Sequence, residues 1–135
     1  ADIWSVTSFT ELRREACDKK RWNRLHPTGK QKKAYVTTAL EGRQGPIIAV
    51  SDYVKLFADQ ISPWMPRSYT VLGTDGFGRS DTRASLRKFF EVDRFSITLA
   101  ALYELGLEKT IPMKTVAAAI KKYGIDPDAL NPALR

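Results

Sequence analysis

Cysteine and histidine each occur once in the 135 residues, as Cys17 and His26. A lone cysteine cannot close an internal disulfide, and with no Cys or His partner at ligand spacing it cannot anchor a zinc site. A single histidine leaves no His-rich metal cluster in this chain, and no His-based triad or dyad is expected from it. No serine stands in a Gly-x-Ser-x-Gly elbow, and no pair of carboxylates carries an acid–base signature, so no catalytic residues are assigned. Long apolar runs are missing too. The longest, Pro46 to Val50 and Leu99 to Leu102, fall far short of the roughly 18 to 20 residues that cross a bilayer, and no membrane partner is expected. No internal repeat and no low-complexity linker interrupts the chain.

What is present fits one globular domain: 43% hydrophobic and 27% charged residues. Cys17 is expected to be a small buried or half-buried apolar residue in a reducing, cytoplasmic setting. The net charge is +7, and it is local. Residues 13–33 hold nine basic and two acidic side chains, an excess equal to that of the whole chain. Such a patch suits phosphates or an acidic protein surface, or simply a solvated helix face running into a polar loop.

A strand-like run, Asp2 to Thr7, begins almost at the first residue. A chain that opens inside a structural element is expected to be a piece of something longer. Ser8 with Glu11 forms a capping-box pattern, and Phe9, Leu12 and Ala16 recur at helical spacing, predicting a helix over 9–23 and a loop over 24–33. A short helix over 35–40 follows. Pro46 to Ser51 reads as a strand covered on both faces of a parallel sheet. Val54, Phe57, Ala58 and Ile61 give the stripe of an amphipathic helix stopped by Pro63 and Pro66. Residues 69–73 make the third strand, and a loop over 74–79 leads to Ser80 and Asp81 as caps of the next helix. Strand and helix alternate three times, which is the pattern of an α/β fold with a mostly parallel sheet. Val92-Asp93 opens a further helix with core positions Ile97, Ala101, Leu102 and Leu105, ended by Gly106. Pro112 suits the first turn of the last helix, with Val116, Ala119, Ile120 and Tyr123 inside and Gly124 as its stop. Residues 126–135 read as a tail.

Several strings carry a family resemblance: Ser5 to Leu12, Trp22 to Pro27, Ser51 to Ala58, Phe90 to Asp93, Asn131-Pro132 and, most specific, Val71 to Asp81. They resemble the end of the single-chain, homodimeric, thiamine-diphosphate-dependent pyruvate dehydrogenase family of the transketolase-like superfamily. The resemblance spans residues 1–135. It implies a three-layer α/β sandwich of the transketolase C-terminal type, the third domain of a long chain, lacking that domain's first strand and helix and so leaving a sheet edge open. It further implies that thiamine diphosphate and Mg²⁺ are held by the other domains of the homodimer and none of the cofactor or metal by this chain. The parent activity implied is decarboxylation of pyruvate with acetyl transfer to the lipoyl group of a dihydrolipoamide acetyltransferase, and this domain's role is to shape the dimer. The chain alone is expected to be inactive. The alternative is a stand-alone module holding nucleic acid or an acidic protein through residues 13–33. Nucleic acid is disfavoured because Trp4, Trp22, Trp64, Phe89 and Phe90 are scattered and do not alternate with Lys or Arg as a stacking platform requires.

The glycines of Gly73-Thr74-Asp75-Gly76-Phe77-Gly78 have the wrong spacing for a dinucleotide fingerprint. The family's cofactor signature, Gly-Asp-Gly with asparagines downstream, is broken by Thr74 and by the lack of any Asn in the expected window. The loop is expected to be a turn and helix cap, or to face a neighbouring domain or active-site mouth. Its candidate contact residues are Asp75, Phe77, Arg79, Ser80, Asp81 and Arg83, with His26 as a hydrogen-bonding residue at an interface.

Overall fold

A serine followed three residues later by glutamate opens the first helix. In the computed structural model, which describes all 135 residues, helix α1 spans Phe9–Leu25 and Ser8 Oγ accepts the Glu11 N–H at 3.2 Å. Only half of the capping box forms, because the Glu11 carboxylate turns to Arg14 instead of reaching back. The helix runs two residues beyond the expected end, where the His26 N–H closes it onto the Trp22 and Asn23 carbonyls.

The chain forms two compact units interleaved in sequence, Ala1–Gln44 with Leu56–Pro66 and Gly45–Lys55 with Arg67–Arg135. The first unit contains α1, α2 (Tyr35–Glu41), all but the first residue of α3 (Lys55–Asp59) and a 3-10 turn, Ser62–Trp64. Helix α2 packs on α1. Glu15 Oε2 accepts the Tyr35 N–H at 2.9 Å, satisfying one of the amides that a helix start leaves open. Thr37 Oγ1 donates to the Trp64 carbonyl at 2.6 Å. Ala16, Ala34, Val36, Ala58 and Ile61 are buried.

Three expectations change in this unit. Asp2 to Thr7 is not a strand: both strands of the chain belong to the other unit, and an extended segment without a ladder partner does not become one. Cys17 is exposed, because it lies one residue, and so roughly 100° of helix rotation, past the buried Ala16. The amphipathic helix expected over 54–61 shortens to α3, since the prolines at 63 and 66 convert its end into the 3-10 turn.

In the second unit, β1 (Ile47–Val50) and β2 (Tyr69–Leu72) pair in parallel with Ile47 opposite Tyr69 and Val50 opposite Leu72. The α/β class and the parallel pairing stand, with two strands in place of three. Strand β1 is half-buried along Ile47 to Ala49 and exposed at Val50, not covered on both faces. Helix α5 (Arg94–Leu107) packs on β1 and on α6 (Met113–Tyr123). Thr70 Oγ1 donates to Glu104 Oε1 at 2.6 Å, tying β2 to α5.

Gly106 does not end α5. It lies inside the helix, buried, where a Cβ would approach Met113 Sδ to 2.8 Å and Val116 Cγ2 to 3.4 Å, so the missing side chain lets α6 come close. Helix α6 is closed by Gly124 in the left-handed region, φ +63°, with Pro112 as its N-cap residue. Helix α4 (Arg83–Phe89) is capped by Thr82, not by Ser80 or Asp81; the Asp81 carboxylate accepts the Thr82 N–H instead. Residues 126–135 are more than a tail: Asn131 caps a 3-10 turn, Pro132–Leu134, whose Ala133 backbone lies against Gly76.

Asp93 Oδ1 accepts both the Ser96 N–H at 2.8 Å and the Ser96 hydroxyl at 2.9 Å, so the start of α5 depends on one carboxylate. Asp93→Ala is expected to lower stability by about 1 kcal/mol. Urea unfolding reads this as a lower midpoint with an unchanged slope; an unchanged midpoint contradicts the cap's contribution.

Candidate functional site

The carboxyl ends of both strands turn into the same small region. Thr74 N–H donates to the Tyr53 carbonyl at 2.9 Å, and Thr74 Oγ1 donates to the Asp52 carbonyl at 2.9 Å. Asp75 Oδ1 accepts the Lys55 N–H, also at 2.9 Å, so the loop after β2 caps the segment after β1. Gly73 makes this approach possible: a Cβ there would stand 2.6 Å from the Tyr53 carbonyl oxygen. Beyond it the chain reverses at Gly76, φ +94°, a conformation that residues with a Cβ rarely adopt.

The region encloses a cleft of about 500 Å³ at the carboxyl side of the two parallel strands, where open α/β sheets receive ligands. Of the residues expected to form a contact loop, Phe77, Arg79, Asp81 and Arg83 line the cleft. Asp75 is half-buried in its hydrogen bond to Lys55 and Ser80 is exposed; neither lines the cleft. His26 belongs to the other unit, where its Nδ1 lies 2.9 Å from the Trp22 carbonyl and its ring stacks on Trp22 at 4.2 Å. The Lys32 ammonium lies 4.0 Å from the same indole, and Asn23 clasps the Lys32 backbone through both its carbonyl and its amide. Trp22 is thus engaged by its own chain within the basic segment.

Sequence reasoning missed Asp52, Arg87, Leu86, Phe90 and Val92 in the lining. One signal was available for Arg87: it stands four residues after Arg83, so the two share a face of α4. Asp52 becomes a neighbour of this loop only through the register of β1 against β2.

The residues do not fit a thiamine diphosphate site. A hard divalent metal needs carboxylate oxygens free to ligate it; here Asp75 holds a helix-start amide, and Thr74 uses its hydroxyl on the Asp52 carbonyl. No step of cofactor chemistry is assigned to these groups.

Residues 1–93 match the family model described as transketolase-like TK C-terminal domain. Over 133 residues, 98% of its length, the chain is 59% identical to the pyruvate dehydrogenase E1 component of Pseudomonas aeruginosa. It is 55% identical over 132 residues to that of Cupriavidus necator, and 48% identical over 135 residues, 99% of the chain, to that of Escherichia coli K12. The chain spans about 15% of the length of each of these relatives. No helix is long and apolar enough to cross a membrane.

Proposed function

Because the chain belongs to the transketolase-like C-terminal domain family, we propose that it works as the closing domain of a homodimeric pyruvate dehydrogenase of the E1 type. In that reading the longer protein decarboxylates pyruvate on thiamine diphosphate and passes the acetyl group to the lipoyl arm of a dihydrolipoamide acetyltransferase. The domain supplies surface and shape, and the cofactor supplies the electron sink from its place on the other domains. The observation that carries the reading is the identity of 48 to 59% spread over nearly all of the chain, against relatives of which it makes up only 15%.

The physical state of the chain supports it. The buried apolar residues are mostly small, four alanines and three valines with Ile61, while Ile3, Leu56 and Leu134 are 98%, 68% and 78% exposed. Apolar groups this open suit a domain that packs on further protein. The two-stranded sheet, with each strand paired on one side, leaves ladder edges for an upstream segment to continue. The loop residues Phe77, Arg79, Ser80, Asp81 and Arg83 are proposed to face an open active-site mouth at the neighbouring domain, and His26 to order an interface loop.

Titrating the isolated chain with thiamine diphosphate and Mg²⁺ in a calorimeter is expected to give no metal-dependent isotherm, and the chain is expected to release no CO₂ from pyruvate. Activity is expected only when the domain is joined to the upstream part of such an enzyme. A stoichiometric, Mg²⁺-dependent isotherm with the chain alone overturns the reading. So does full activity in the longer enzyme after residues 1–135 are deleted.

A further inference from the structure

Three arginines, Arg79, Arg83 and Arg87, line the cleft at the carboxyl ends of the strands, and none of them takes part in an ion pair within the chain. The arginines are not there for want of acids nearby. Asp52 and Asp81 line the same cleft, yet neither approaches a guanidinium within salt-bridge distance, and Asp81 is engaged by the Thr82 amide. Arg79 is held otherwise, its guanidinium carbon 4.3 Å from the Phe89 ring centroid, which orders the group without neutralising it. Opposite chemistry completes the wall: Phe77, Leu86, Phe90 and Val92 are apolar.

From this juxtaposition we infer that the cleft is a binding site for a phosphate monoester, its phosphate on the three arginines and its organic body against the apolar wall. Phosphate is favoured over carboxylate by count. A monoester presents three terminal oxygens and close to two negative charges at neutral pH, whereas a carboxylate presents two oxygens and one charge. Three planar guanidinium forks can all be served by the first and not by the second. A cleft of about 500 Å³ lies within the usual size range of small-molecule sites. The inference is independent of the enzyme proposed above, since it concerns no step of that reaction and is tested without turnover.

The test uses phenyl phosphate, which joins a monoester to an apolar ring, and benzoate, its carboxylate counterpart, at matched ionic strength. Titration of the isotopically labelled chain is expected to shift the amides of Gly76, Gly78, Arg83 and Arg87 and the side-chain Nε resonances of the three arginines. Phenyl phosphate is expected to bind at least tenfold more tightly than benzoate. The double variant Arg83→Gln/Arg87→Gln is expected to bind roughly tenfold or more weakly, while Lys121→Gln/Lys122→Gln, which removes the same charge from α6, leaves affinity unchanged. The mapping on the unaltered chain stands even if the arginine variant folds poorly. Shifts confined to residues 13–33, equal affinity for the two probes, or equal losses in the arginine and lysine variants each overturn the assignment.

Discussion

Gly73→Ala is expected to destabilise the sheet unit by about 3 kcal/mol, toward the upper end of what overpacking a close contact costs. The alanine Cβ would meet the Tyr53 carbonyl oxygen at 2.6 Å and the Lys55 backbone nitrogen at 3.0 Å, both main-chain atoms that no rotamer change can move. Either β2 withdraws from the segment after β1, or the Thr74 N–H to Tyr53 and Asp75 to Lys55 hydrogen bonds lengthen. The lost freedom of glycine in the unfolded chain offsets only about 0.4 to 1 kcal/mol. Gly42→Ala is the matched control, because its Cβ would meet nothing within 4 Å and its backbone is of ordinary conformation, φ −82°. Thermal unfolding should separate the two variants by roughly 10 °C. Equal midpoints would show that the strand ends are looser than their hydrogen bonds require.

Ile61→Ala is expected to cost about 3 kcal/mol, within the range for emptying a buried aliphatic site. At 2% exposure Ile61 is the largest aliphatic side chain among the buried residues of its unit; the others there are Ala16, Ala34, Val36 and Ala58. Leu56→Ala removes a side chain of equal size that is 68% exposed and should cost far less. Urea midpoints that fall equally for the two variants would contradict the burial argument.

The elements that were legible in the sequence are those whose determinants are local. Ser8 and Asp93 cap helices because their side chains reach the amide three residues on, and Gly124 ends one because it tolerates a positive φ; each of these is written in nearby residues. The β-branched run before Ser51 and the run before Gly73 became strands because each found the other. Asp2 to Thr7 carried a similar pattern and did not, since a strand is a property of a pair. The candidate loop was found through its glycines and its family resemblance, which located Arg79, Asp81 and Arg83. Asp52 and Arg87 were not found, because what joins them to the loop is strand register and helix phase. Gly106 was misread as a stop for a related reason: a glycine that admits a neighbouring helix and one that ends its own helix look alike in one dimension.

The interleaving of the two units has a consequence for the order in which the protein is made. Every residue of the first unit has been synthesised once Pro66 is added, so its helices can close while the rest of the chain is still on the ribosome. Strand β1 is made before that point, yet its partner β2 and its covering helix α5 come later. At roughly 5 to 20 residues per second, the apolar segment Ile47 to Val50 is exposed for seconds before it can pair. A chaperone that recognises short β-branched segments during translation therefore has one obvious target in this domain, and its window closes when α5 emerges.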